Sequence, residues 1–510
     1  MRKIGLVILI IFCFKNITQA AVRTASVSGN WSSKATWGGA NVPGNKDDVT
    51  INAGVTVTVN VNGLAKSLTV NGTITFSGAF LITISNKGSF TTNSGSALVF
   101  SNGGQIGGGG NGGNGVSITV NDGTSITTDD ANGININTGT GSITINNGGS
   151  SVTYGTGVNY TYNGTVAQIT GDAVFSANNF TVSNSAGVTA TNALSITNLV
   201  INTSTSLDMV ANDLAIATSV TNNGTLFTQS VSATPIPSGY TWGGTVTYHA
   251  TASQSLVSGT YNNLTLSNTG TKTLAGNTTV MGALTNNTGS TLDASTFSLT
   301  LSGSGTPFVN SGTFTPSTST VVYSGTGATN IAGENYYNLS LSSASTKTLA
   351  GNTTVGNVLT NNTGSTLNLS TITLTLSGSG SPLVNSGTFT AATSTVNYTN
   401  TGAVTIAPVN YYNLDGTGGN RTLSISGTIG IANTFTPGAG TYTVTNSTVN
   451  FNGTGSQNIP AFTFFYLIVS NAGIKFIPAS TVVTCQTIDV NGTAGVEINA
   501  DGGGQLNVIQ

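Results

Sequence analysis

The chain has 510 residues with 12 basic, 14 acidic and one histidine, so only 5% are charged and the formal net charge is −2. Ordinary domains carry roughly 25% charged residues, and a chain this poor in cations lacks the electrostatic footprint that nucleic acid or an anionic membrane demands. Val, Ile, Leu and Phe recur at short intervals among 68 glycines and abundant Thr, Ser and Asn, which excludes a charged disordered polymer and favours short strands joined by tight turns.

Residues 1–20 have the layout of a secretory signal peptide. Arg2 and Lys3 form a basic start, residues 4–14 an apolar run, and Thr18-Gln19-Ala20 a cleavage site. The run is too short to span a bilayer and no second run of spanning length follows. The expected location is therefore secreted or on a cell surface. Cys13 leaves with the leader, so Cys485 has no intrachain partner and is expected to be a buried small apolar residue.

Residues 21–101 open with Trp31, Trp37, Pro43, Gly44, Asp48, Val49, Ile51, Gly54 and Val55. This opening resembles the G8-type segment at the start of many secreted β-helix proteins. The resemblance implies an N-terminal β-helix segment and cap in an extracellular protein, and it supplies no catalytic residue.

Residues 102–178 begin with a Gly/Asn-rich stretch and continue as strand-like text, read as further solenoid coils with an irregular turn. Residues 179–510 are repeats of about 75 residues, the last unit incomplete. TKTLAGNTTV occurs at Thr271 and again at Thr346, LTNNTGSTL at Leu284 and Leu359, and VNSGTF at Val309 and Val384. Leu264, Leu339 and Leu414 anchor successive units. The last interval, to Leu467, is shorter by one coil, which sets the coil at about 20 residues. Alternation over four to six residues between Gly, Asn and Ser clusters predicts strands, and near-identical units stack most simply in parallel. The fold class is therefore all-β: a right-handed parallel β-helix (β-solenoid), an elongated single rod. Leu264, Leu284, Leu301, Leu339, Leu359 and Leu376 are its expected interior. The repeats resemble the β-strand repeats of large bacterial surface and adhesin-like proteins, which implies a surface or adhesive role and a secreted or bacterial cell-surface location.

A β-helix can also be a polysaccharide lyase or glycosidase. The best acid cluster is Asp122, Asp129 and Asp130, a candidate Ca²⁺ site as well, yet no Lys or Arg lies between Gly88 and Thr271 to act as a lyase base. Turn-forming carboxylates are the expectation. His249 is the sole histidine and is expected to be an exposed turn residue. Trp31, Trp37, Trp242, Tyr336-Tyr337 and Tyr411-Tyr412 could stack on sugars, but the favoured reading is packing, with one Tyr of each pair turned inward.

Four cations recur at one phase of the repeat: Lys272, Lys347 and Lys475 eight residues after Leu264, Leu339 and Leu467, and Arg421 seven after Leu414. They are expected to stand on one face as a sparse row, protecting strand edges or touching an anionic glycan. The leading functional expectation is a non-enzymatic structural or adhesin-like solenoid binding extracellular glycans weakly and multivalently, the alternative a carbohydrate-active enzyme. Neither cofactor nor metal is expected. The expected partners are extracellular polysaccharide or a host or neighbouring cell surface, with no nucleic acid and no membrane span.

Overall fold

In a computed structural model, residues 20–108, 115–135, 139–145, 150–491, 496–500 and 502–509 are described. The expected signal peptide, apart from Ala20, and residues 109–114 of the Gly/Asn-rich stretch lie outside them. The described chain is almost wholly β and every strand pairing is parallel, the architecture of a β-solenoid; the one helical element is a 3-10 turn at Lys34–Trp37. No described helix is long and apolar enough to cross a membrane. Contacts divide the chain into two compact units, Met1–Asn192 and Ala193–Gln510.

In the first unit, two sheets take strands alternately as the chain coils. Val22–Ala25, Asp48–Ile51, Gly63–Val70, Leu81–Thr92, Ser117–Val120 and Ser151–Tyr154 form one path. Thr56–Val59, Thr73–Phe76, Ala97–Phe100, Ser125–Thr128 and Asn159–Tyr162 belong to the other. Because side chains alternate faces along a strand, Val49, Leu68, Phe90 and Ile118 stack inward. On the outer face Thr24, Thr50, Thr69, Thr91, Thr119 and Thr153 stand in one unbroken register column. Near the start, Trp31 and Trp37 are buried edge to face, ring centroids 5.1 Å apart, and the Trp37 indole N–H donates to the Trp31 carbonyl at 2.8 Å. They pack inside the fold and offer no ring to a sugar.

In the second unit a long parallel sheet is accompanied by short sheets of four, four, three and three strands, one for each repeat. In one of them, Thr329, Lys347, Leu367 and Phe389 are successive rungs, so a full unit spans four coils. All six expected interior leucines are at most 1% exposed. Leu264 pairs with Leu284 and Leu339 with Leu359, equivalent partners one unit apart. The interior also holds an amide stitch: the Asn286 amide donates to Asn310 and to the Thr313 carbonyl, and Asn361 repeats this with Asn385 and Thr388. The turns are fixed by left-handed residues braced from behind. Ser295 (φ 53°) and Ser370 (φ 56°) each donate their N–H to a side-chain oxygen two residues earlier, on Asp293 and Asn368. Coils approach so closely that a Cβ on Gly378 would meet the Asn357 carbonyl oxygen at 1.8 Å.

Burying one leucine contributes roughly 1.5–3 kcal/mol, and a carboxylate in its place would be unpaired in an apolar stack. Leu339→Asp is therefore expected to open the coils on either side of it. Faster amide exchange in the paired strands Thr320–Tyr323 and Thr353–Asn361 is the measurement; exchange no faster than in the parent protein would count against the register.

Candidate functional site

The four recurring cations do share one structural phase, but the expectation of an exposed row is wrong. Lys272, Lys347, Arg421 and Lys475 are at most 1% exposed. The reason lies in local sequence. In Thr271–Leu274 and Thr346–Leu349 the text is TKTL, and two-residue alternation turns Lys to the same side as the buried Leu. Each cation occupies the second rung of its short sheet, after Gln254, Thr329, Val404 and Gln457 respectively.

There the charged end reaches carbonyl oxygens at a coil corner. The Lys272 ammonium donates to Ala250 at 2.8 Å, Thr269 at 2.7 Å and Gly270 at 3.4 Å. Those three acceptors match its three N–H bonds. Lys347 donates to the carbonyls of Gly325 and Ser343 and to the Ser345 hydroxyl, and Lys475 to Gly453 at 2.8 Å. The Arg421 guanidinium donates to Tyr398 at 2.6 Å, to Asn400 and Asn420 at 3.0 Å, and to Gly402 at 3.4 Å. Burial pulls all four below their usual pKa values. Neither role assigned to an exposed cation row applies. These groups donate to backbone oxygens at the coil corners, adding to donors such as the Val404 N–H on Asn420 and the Ser345 hydroxyl on Gly325.

The repeats of Lys272, Lys347 and Arg421 each also carry a buried tyrosine pair, of which the Tyr-Tyr doublets pointed only to Tyr336 and Tyr411. Tyr248 and Tyr261, Tyr323 and Tyr336, and Tyr398 and Tyr411 are buried, with hydroxyl oxygens 3.4, 3.0 and 2.8 Å apart. One hydroxyl of each pair accepts a backbone N–H and the other donates to the carbonyl of that same residue, Val257, Ala332 or Ala407. Burial pushes Tyr248, Tyr323 and Tyr398 up to about 12, and their partners well above the usual phenol value. Thus Tyr336 and Tyr411 do turn inward, while Tyr337 and Tyr412 stay at the surface half-buried. Trp242 is buried. The signal was available: the pair spacing repeats in all three units.

The acid cluster is used by the backbone. Asp122 accepts the Gly157 N–H at 2.7 Å, Asp129 the Asn102 N–H at 2.6 Å, and Asp130 the Asn132 N–H at 2.8 Å. Among the described residues no group of three or more His, Cys, Asp or Glu is placed to hold a metal ion. Cys485 is buried, and its burial pushes the thiol pKa up.

His249 is not an exposed turn residue. It follows the strand Thr241–Tyr248, its side chain is 19% exposed, and its Nε2 lies 3.7 Å from Asp208 Oδ1. The imidazole meets the Phe227 ring edge to face at 5.5 Å. The contact with His249 holds the Asp208 carboxyl below the usual range. Phe227 in turn borders a groove of about 570 Å³ lined by hydroxyl, amide and glycine residues, among them Asn223, Gly224, Gly243 and Asn263. No protein-family model matches this chain, and neither the curated proteins nor the solved structures contain a match to it.

Proposed function

We propose that this is a non-enzymatic, secreted or cell-surface structural protein of adhesin type, which touches extracellular glycans weakly and at many points through neutral groups. The observation that carries the reading is the division of chemistry between inside and outside. The four repeat cations are sealed in the interior, whereas outward positions carry hydroxyl ladders such as the threonine column from Thr24 to Thr153. Parallel stacking sets such groups about 4.8 Å apart. A hydroxyl both donates and accepts, so the ladder suits a polyhydroxylated polymer. Each contact is weak, and repetition raises the total by effective concentration. The leader-like residues 1–20, the G8-like opening and the surface-repeat resemblance support an extracellular setting.

The test is a glycan array followed by a reducing-sugar assay on whatever binds. Retention of glycan with no release of reducing ends is expected. Release would replace this reading with that of a carbohydrate-active enzyme, and an array on which no glycan is retained would remove the adhesive part of it.

A further inference from the structure

We propose that the groove beside Phe227 is a discrete binding site for neutral saccharide rings; this rests on the glycan-binding reading and assigns it a place. Three features converge there.

The first is shape. The strand text TWGGTVTY puts two glycines in mid-strand, and the pairing register shifts between Trp242 and Thr245. Glycine within a strand marks a bulge or a close approach. Here it does both. A Cβ on Gly244 would meet the Gly224 carbonyl oxygen at 2.1 Å, and one on Gly224 would meet the Thr205 carbonyl oxygen at 2.2 Å. With no side chains on this floor the wall sinks into a groove of about 570 Å³, within the range of small-molecule sites.

The second is the polar lining. Ser206, Thr225, Thr245 and Asn263 are consecutive in one register column. They present three hydroxyls and an amide at the strand spacing of about 4.8 Å, a set able to donate to and accept from vicinal sugar hydroxyls.

The third is the flat wall. Phe227 stands in the next outward column, between Asp208 and Thr247. The His249 ring packs against it edge to face at 5.5 Å, and its imidazole Nε2 lies 3.7 Å from Asp208. A ring fixed from one side and open to a groove on the other is a platform for the C–H face of a pyranose. No Lys or Arg lines the groove and Asp208 stands at its border, so the preferred ring is neutral and uronic or sulfated sugars are disfavoured.

The test uses the full chain and immobilised tetrasaccharides of glucose, mannose, galactose and xylose, with Phe227→Ala beside the parent protein. Tyr337→Ala removes a surface aromatic elsewhere and serves as control. The parent is expected to bind at least one probe, Phe227→Ala to bind it about tenfold more weakly, and Tyr337→Ala to match the parent. Should Phe227→Ala lose its fold by circular dichroism, Phe227→Leu, which retains bulk without a flat ring, is judged by the same criterion. Equal binding by the Phe227 variant and the parent overturns the groove while leaving glycan binding along the solenoid intact. Absence of binding to all four neutral probes by the parent overturns the groove as well, and the wider array then decides the broader reading separately.

Discussion

Replacing Arg421 by Ala is expected to cost about 3 kcal/mol locally. The guanidinium donates to four carbonyl oxygens, on Tyr398, Asn400, Gly402 and Asn420, across neighbouring coils. Alanine removes the donor from the buried Tyr398 carbonyl, which carries the desolvation cost of that group, and also loses the part-buried contacts to Asn400, Gly402 and Asn420. It also opens a void where a long stem was packed. Arg421→Lys should be milder, because Lys347 performs the same capping one unit earlier. In a solenoid each coil contacts only its neighbours, so the damage should stay near the site. Amide exchange should accelerate between Tyr398 and Tyr442 and remain unchanged around Lys272. Uniform acceleration along the repeats, or none, would show that the cation is not the local clamp described here.

Alkaline unfolding beginning near pH 10 is the second large expectation. A phenol whose folded pKa is raised favours the protonated state in the fold. Its contribution is therefore complete below the unfolded value of 10.0 and is lost as pH climbs through the folded value of about 12. For Tyr248, Tyr323 and Tyr398 a shift of about two units corresponds to roughly 2–3 kcal/mol each, and their partners add to it. The three buried lysines act in the opposite sense: their folded pKa values lie below 10.5, so the cost of holding them charged is relieved as pH rises toward that value. Above it they change no further, and the tyrosines dominate. Phenolate absorbance and loss of β circular dichroism should rise together above pH 10. The last unit provides an internal comparison, because Phe451 and Phe464 occupy the tyrosine places, with rings 5.8 Å apart, and Tyr442 is left as a single raised phenol where each earlier unit has two. Its amides should be the slowest of the repeats to lose protection. Phenolate forming well before any structural change would mean the pairs are accessible to solvent.

The parallel solenoid was legible because repetition and two-residue alternation are read directly from text, and both constrain backbone and burial at once. Leu339 and Leu359 were placed correctly on that basis. The same rule, applied without exception, would also have placed Lys347 inside, since it stands two residues before the buried Leu349. The expectation that a charge belongs in solvent overrode the alternation. That expectation fails where a coil corner turns several carbonyl oxygens inward and a flexible amine can reach them, a three-dimensional feature with no local signature. The Phe227 groove was hidden for a related reason. Its column joins Ser206, Thr225, Thr245 and Asn263 from four coils, and the exact coil length, bulge included, decides which residues meet. Only the paired glycines at Gly243 and Gly244 hinted at it.

The enclosed cation has a consequence for how such a chain can change length. A slip of one coil would drive Lys347 toward the place of Leu367, away from the oxygens of Gly325 and Ser343. A slip of one whole unit would set lysine on lysine and leucine on leucine, and nothing inside would oppose it. Misaligned recombination between the two TKTLAGNTTV copies inserts or deletes a complete four-coil block and should therefore yield a foldable product. The buried charge thus acts as an internal reading frame within the coil: the chain can change by whole coils, as in the three-strand sheets that hold Arg421 and Lys475, or by whole units, provided each cation keeps its carbonyl oxygens.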